Sequence, residues 1–234
     1  MIKSYREMPI GTYFKLQNIV LSEPDDQEWK VTALALLTGR TEDDLLHAPL
    51  GEFAALIKEM AFLAEPPKTE RVKSSYKAGA FELVPTLDTA KVTTAQYIDF
   101  QTFCKEKDDE ARAVAVLSCL MVPKGCKYCD GYDPAAVRAA IQEHVTVVDA
   151  LSLYGFFFEK LRTSINRSQT YSEKMLKRLE KLPRTDRRDR AIATGRRQLE
   201  TVKRIGASLL NGDGLLMLTP FQRLAAVLGM RFGK

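Results

Sequence analysis

Hydrophobic residues recur at helical spacing through the first 165 residues of the chain. Between short polar breaks, apolar side chains return every three or four positions, a period that predicts amphipathic helices. Local signals place several ends, since Gly39 suits a helix C-cap while Thr41 and Asp133-Pro134 suit helix starts. The predicted helices cover residues 10–20, 29–37, 42–46, 50–63, 94–103, 111–121, 134–144 and 146–158. The pattern therefore predicts a compact bundle of short helices.

One segment carries a β signal instead. Residues 71–76 and 80–84 flank Lys77-Ala78-Gly79, where a glycine supports a tight turn. We therefore expect one small β-hairpin near residues 71–84 within a mainly α fold.

The character of the chain changes after about Ser164. Residues 171–182 and 187–210 are typical of charged helices with thin apolar stripes, and a turn at 211–214 precedes an apolar segment at 215–230. Residues 167–234 hold 16 Lys and Arg against 6 Asp and Glu, a charge of +10, whereas residues 1–166 carry −5. We expect a helical body at residues 1–165 and a basic helical C-terminal region at residues 166–234.

Composition narrows the class of protein. The chain has 234 residues, of which 45% are hydrophobic and 28% charged, as is typical of a globular protein. No apolar run approaches the roughly 20 residues that span a bilayer, and no secretory signal is recognisable. We therefore expect a reducing cytosol, in which the four cysteines (Cys104, Cys119, Cys126 and Cys129) stay as thiols.

Cys126-Lys127-Tyr128-Cys129 is the sharpest local motif. A Cys-x-x-Cys pair supplies two zinc ligands, but a structural zinc site needs four, and the sequence has no second pair of this kind. A redox motif would stand at a helix N-terminus after a strand, whereas these residues lie in a predicted loop. Loop cysteines without a metal are the favoured interpretation, with a zinc site and a redox site as alternatives.

Candidate catalytic residues are few. The sequence has two histidines, His47 and His144, and neither stands in a catalytic or metal-binding motif. It contains no Gly-x-Ser-x-Gly, His-Glu-x-x-His or phosphate-loop pattern. Paired carboxylates such as Asp43-Asp44 lie at predicted helix starts, where capping explains them. We therefore expect no enzyme activity, no cofactor and no metal.

The basic region is a candidate binding surface, with Arg187, Arg188, Arg196 and Arg197 as its candidate contact residues. Acidic residues are interleaved with them, so a solvated helical face is the first interpretation. The alternatives are an acidic protein surface and nucleic acid. Nucleic acid is the weaker of these because the basic region contains no known nucleic-acid-binding motif and few aromatic residues that could stack on bases.

Phe156, Phe157 and Phe158 form a second candidate partner-binding cluster. Successive residues of a helix point in directions about 100° apart, so three adjacent rings do not all face one side. We expect at least one of them to point to a partner or to a second core layer.

Several short motifs follow one another between residues 5 and 165. They are Met8-Pro9-Ile10-Gly11-Thr12-Tyr13, Leu36-Leu37-Thr38-Gly39, Glu42-Asp43-Asp44-Leu45-Leu46, Pro66-Pro67, Thr94-Ala95-Gln96-Tyr97-Ile98-Asp99-Phe100-Gln101, Val122-Pro123-Lys124-Gly125, Asp130-Gly131-Tyr132-Asp133 and Val148-Asp149-Ala150-Leu151-Ser152. Their order resembles that in the tail-assembly-chaperone-like proteins encoded beside the tape-measure gene in tailed bacteriophages, particularly phages of gut bacteria. The basic region lies outside this resemblance.

The resemblance implies a non-enzymatic role in the cytoplasm of an infected bacterial host. Proteins of this kind are thought to coat the long helical tape-measure protein, keep it soluble and help to deliver tail-tube subunits. It therefore implies tape-measure-like and tail-tube proteins as partners. The lack of a long apolar run predicts no membrane partner, and a monomer and an oligomer both stay open. A structural virion component, in the tail or in head completion, and a nucleic-acid-binding protein are the alternative functions.

Overall fold

The computed structural model describes the backbone of residues 1–22, 28–88, 91–181, 183 and 185–211, with their side chains except those of 187, 188 and 205–211. The helices are α1 (Ile10–Ser22), α2 (Glu28–Thr38), α3 (Glu42–Leu46), α4 (Leu50–Glu59), α5 (Thr94–Phe103), α6 (Asp109–Leu120), α7 (Pro134–His144), α8 (Val147–Glu180) and α9 (Asp186–Asn211). The strands are β1 (Tyr76–Ala78), β2 (Phe81–Pro85) and β3 (Met121–Pro123). The mainly helical prediction is confirmed. The predicted turn from residue 212 and the apolar segment at 215–230 lie outside the described residues.

The chain forms two compact units, which divide between Gly155 and Phe156 within α8. The boundary expected from composition, at residue 165, also falls within α8. None of the helices among the described residues has both the length and the apolarity that crossing a bilayer requires.

Helix ends follow the local signals in the sequence. The Thr41 hydroxyl accepts from the Asp44 N–H at 3.1 Å while the Asp44 carboxylate accepts from the Thr41 N–H at 3.2 Å, a capping box that starts α3. Asp133 caps α7 with Pro134 in its first turn, and Gly39 follows α2 with a φ of +73°. These predicted ends are confirmed.

Three of the predicted helices differ from the helices that the structure shows. The helix expected over residues 50–63 is α-helical to Glu59 and then tightens into a 3-10 helix, Met60–Ala64. The separate helices expected over residues 146–158 and from residue 171 are one continuous helix, α8. Residues 159–170 contain no glycine or proline, so nothing in them ends the first helix.

The small sheet contains the expected hairpin and a third strand that was not expected. β1 and β2 pair antiparallel with Tyr76 opposite Leu83, and β3 adds to β2 with Pro123 opposite Leu83. The turn predicted at residues 77–79 is misplaced, because Lys77 and Ala78 belong to β1 and the chain reverses at residues 79–80. Gly79 has a φ of +56°, a conformation that glycine adopts without strain.

The core of the N-terminal unit is apolar and includes buried aromatic side chains. Trp29, Tyr13 and Tyr154 are fully buried. The Tyr154 hydroxyl donates to the Ala113 carbonyl, which links α8 to α6. Burial raises the pKa of Tyr154 well above its usual value, so the hydroxyl keeps the proton that it donates.

A backbone bridge joins the chain before α1 to the chain before α8. The Ile10 N–H donates to the Val145 carbonyl and the Val147 N–H donates to the Met8 carbonyl, each at 2.9 Å. Beside this bridge Gly11 lies against α7, and a Cβ atom on Gly11 would stand 2.9 Å from the carbonyl oxygen of Gln142. The close approach of α1 and α7 therefore requires glycine at this position.

We predict that Gly11→Ala destabilises the N-terminal unit by about 1–3 kcal/mol, because the new methyl group would push backbone from backbone. Gly51→Ala is the matched control, since Gly51 is also the second residue of its helix and its Cβ position has no atom within 4 Å. The control should gain up to about 1 kcal/mol through helix propensity. The measurement is chemical unfolding followed by fluorescence of Trp29, the single tryptophan of the chain. Equal shifts for both variants would contradict the role given to Gly11.

Candidate protein-binding groove

α8 and α9 pack side by side in the C-terminal unit. α8 ends at Glu180 and α9 begins at Asp186, a connection too short for anything but antiparallel neighbours. Thr185 begins α9 by accepting the Asp189 N–H on its carbonyl at 3.0 Å. The two helices form a helical hairpin, which we call the α8–α9 hairpin.

A small apolar cluster holds the hairpin together. Leu176, Ile192 and Leu199 are each 8% exposed, and Leu179 packs against them. Gly195 lies opposite Leu176, and a Cβ atom on it would stand 2.9 Å from a Leu176 methyl group. The missing side chain at Gly195 therefore lets the leucine approach the α9 backbone.

A groove of about 400 Å³ runs along one side of this contact. Its lining is mostly apolar or small and comes from both helices: Tyr171, Ser172, Met175, Leu176 and Leu179 from α8, and Arg190, Ala191, Thr194, Gly195 and Gln198 from α9. Tyr171 is 67% exposed and Met175 38% exposed, although both are large apolar side chains. Exposed apolar residues at a concave surface are typical of a binding site rather than of a solvated helix face.

The surroundings of the groove are basic. Residues 171–204 hold twelve Lys and Arg against five Asp and Glu, a net charge of +7. Lys174, Lys177 and Arg178 on α8 and Arg190 on α9 are all exposed. Arg190 lines the groove and the hairpin around it carries a net positive charge, which favours an acidic, amphipathic ligand.

The arginines expected to bind a partner have different positions. Arg196 is exposed and pairs with Glu180 at 3.0 Å, which ties α9 to the end of α8. Arg197 is exposed. Arg187 and Arg188 lie in α9, and their side chains are outside the described part of the chain.

The phenylalanine cluster lies near the start of the C-terminal unit. Phe157 is 8% exposed, whereas Phe156 and Phe158 are half-buried. The Phe157 and Phe158 rings meet edge to face at 6.1 Å, and Lys160 Nζ lies 5.3 Å from the centre of the Phe156 ring. Phe156 and Tyr171 are about 22 Å apart along α8 at 1.5 Å per residue, so the cluster and the groove are separate features.

The Cys126–Cys129 loop is anchored by the tyrosine between its cysteines. The Tyr128 hydroxyl donates to Asp99 on α5 at 2.8 Å and lies 3.3 Å from the Cys119 sulfur on α6. Burial, followed by these two neighbours, raises the pKa of Tyr128. Among the described residues, no group of three or more His, Cys, Asp and Glu is placed to hold a metal.

The two histidines lie in unrelated places. His47 is exposed, with Nδ1 2.9 Å from the Asp43 carbonyl oxygen at the end of α3. His144 Nε2 lies against Gly79 in the hairpin turn, 3.0 Å from where a Cβ atom on Gly79 would stand.

Sequence reasoning did not find the groove, although it found the stripe on which the groove is built. Met175, Leu176 and Leu179 stand at helical spacing, and Tyr171 lies one turn before Met175. The additional signal was Gly195, a glycine in the interior of an otherwise strong helix-forming segment, which is typical of close packing.

No protein-family model, curated protein or solved structure matches this chain.

We predict that two of the four thiols react rapidly in the folded protein. Cys126 and Cys129 are accessible, whereas Cys104 and Cys119 are buried, and burial raises the pKa of the Cys119 thiol to about 12. Titration with a disulfide reagent at pH 8 should give two fast thiols, and all four after unfolding. Cys126→Ser/Cys129→Ser is the control and should leave no fast thiol. A third fast thiol in the folded wild-type protein would contradict the placement of Cys104 and Cys119.

Proposed function

We propose that this chain is a non-enzymatic assembly chaperone that binds an acidic amphipathic helix of a client protein in the groove of the α8–α9 hairpin. The observation that carries the proposal is the groove itself, with exposed Tyr171 and Met175 on an apolar floor within a basic surface. A helix laid in such a groove buries its apolar face, while its acidic flanks meet Lys and Arg.

The motifs between residues 5 and 165 point to the identity of the client. By resemblance to phage tail-assembly-chaperone-like proteins, we propose a tape-measure-like protein as the client, with tail-tube proteins as a second partner. The site of action would be the cytoplasm of the infected bacterial host. A long helix with an apolar stripe is prone to aggregate before assembly, and a groove that covers the stripe removes that hazard.

The side chains of the groove suit a long amphipathic helix as the client. Tyr171 and Met175 offer broad apolar contact at one face of α8, since they stand four residues apart. Methionine adapts to ligands of different shape, which suits a surface that binds successive stretches of one helix. Charge around the groove would orient the client helix and increase its rate of association.

We predict that Met175→Asp weakens client binding at least tenfold, because it places a charge on the apolar floor opposite an acidic client. The matched control is Leu21→Asp, a similar substitution at a 57% exposed position at the end of α1. The test is co-expression of the chain with the products of neighbouring genes, then pull-down, mass spectrometry and affinity measurement. Circular dichroism checks that both variants keep their helices.

Recovery of a long coiled-coil protein by the wild type and by Leu21→Asp, but not by Met175→Asp, is the expected result. Equal recovery by all three would refute the groove as the client site. Purified virions separate a chaperone from a structural component, since a chaperone is absent from finished particles and a structural component stays.

The net charge of +7 over residues 171–204 favours nucleic acid as a second candidate ligand. Nucleic acid would be held through its phosphates, so its affinity would fall steeply as salt is raised. The uncharged substitution Met175→Asn would change such binding little, because an apolar floor contributes little to phosphate contacts, whereas it should weaken binding of an amphipathic client helix. Salt titration of wild type and Met175→Asn therefore distinguishes the two ligands.

A further inference from the structure

The N-terminal unit presents an apolar surface that its own core does not cover. α4 has no buried residue, although its apolar positions share one side. Leu50 is 83% exposed and Leu46, at the end of α3, is 68% exposed. Ala54 is exposed and Phe53 and Ile57 are half-buried. Residues 50, 53, 54 and 57 lie on one helix face, so these side chains form a continuous apolar strip, which we call the α4 face.

The α4 face lies in an acidic part of the chain. Residues 41–59 hold five Asp and Glu against one Lys, a net charge of −4. Glu42, Asp43 and Asp44 occupy the first turn of α3. Hydrogen bonds from Thr41 lower the pKa of Asp44, which keeps that carboxylate ionised at neutral pH. Glu52 and Glu59 of α4 form ion pairs with Arg40 and Lys3, so the negative charge of this surface comes mainly from the first turn of α3.

The same chain thus carries two surfaces of opposite charge and matching size. The groove belongs to a segment with a net charge of +7 and has Arg190 in its lining, and the α4 face belongs to a segment with a net charge of −4. The groove-lining positions of α8, from Tyr171 to Leu179, span about 12 Å at 1.5 Å per residue. The α4 face, from Leu50 to Ile57, spans about 10 Å on the same measure. The apolar strip of α4 and the groove therefore have similar lengths along their helix axes.

We infer that the α4 face of one copy docks in the α8–α9 groove of a second copy of this chain when no client is bound. The inference rests on the groove of the proposed function and adds a second occupant to it. The contact joins two different surfaces, so it is head-to-tail and leaves one free face and one free groove at the ends of every assembly. Since client and second copy use the same groove, client binding releases the copies from one another.

A second copy is favoured over other acidic partners by what the chain itself supplies. Both surfaces are present in equal number in any solution of the protein, at the same concentration. Each has exposed apolar residues that association removes from water. The opposite net charges attract the two surfaces and disfavour the symmetric pairings of groove with groove or of face with face.

The test is sedimentation velocity of three variants alone and in mixtures. Wild type and the control Leu21→Asp should show concentration-dependent association that weakens as salt is raised. Leu50→Asp and Met175→Asp should each be monomeric. An equimolar mixture of the two should form a dimer and nothing larger, because Leu50→Asp retains an intact groove and Met175→Asp retains an intact α4 face.

Other outcomes overturn the inference. Monomeric wild type at the highest concentration reached would overturn it outright. Loss of association in Leu50→Asp but not in Met175→Asp would show that α4 faces pair with each other instead. Failure of the mixture to form a dimer would exclude the head-to-tail contact. Leu46→Asp repeats the test at a second exposed position if Leu50→Asp loses helix content in circular dichroism.

The test separates this inference from the proposed function. Leu50→Asp retains the groove, so it should bind client at least as well as wild type does. If no client is recovered but the mixed variants form their dimer, the proposed function fails and the self-association stands. If client is bound and wild type is monomeric, the proposed function stands and the self-association fails.

Discussion

The contact between α1 and α7 at Gly11 determines how the chain enters its longest helix. Because Gly11 has no side chain, backbone lies directly against backbone at Gln142. The two hydrogen bonds of the neighbouring bridge, Ile10 to Val145 and Met8 to Val147, then form at 2.9 Å. That bridge holds the residue at which α8 begins, and Thr146 caps the helix by accepting the Asp149 N–H at 3.2 Å. A helix of 34 residues thus starts from a fixed point in the core of the N-terminal unit.

The C-terminal unit also depends on close packing at a glycine, but its apolar core is smaller. Gly195 allows Leu176 to approach the α9 backbone, just as Gly11 allows α7 to approach α1. The apolar cluster around Gly195 is small. Full burial of a leucine or isoleucine contributes about 1.5–3 kcal/mol, and three such residues have to offset the ordering of two helices. The floor left exposed beside them is apolar surface that a ligand can still bury. A ligand that binds only the folded hairpin stabilises it in proportion to its concentration over Kd.

The sequence predicts the features that depend on neighbouring residues and misses those that depend on distant ones. The ends at Gly39, Thr41 and Asp133 follow from residues within one helical turn of each other. The strand β3 is three residues long and exists because β2 lies beside it, about 40 residues earlier in the chain. The groove is missed for the same reason. An apolar stripe on α8 predicts burial, and only the placement of α9, which covers Leu176 and leaves Tyr171 and Met175 exposed, shows that part of the stripe stays open.

The limited size of the two matching surfaces suits reversible binding. α4 has ten residues, so a copy docked through it alone buries far less than the roughly 1,200–2,000 Å² of a stable specific interface. Its hold on the groove is therefore weak and short-lived, and in practice the groove is covered only at high protein concentration. A long client helix presents its apolar stripe many times over, which raises the effective concentration of sites along it. Such a client displaces the second copy without needing a stronger contact at any one groove. An α4 face becomes free when the client fills the groove in which that face was docked.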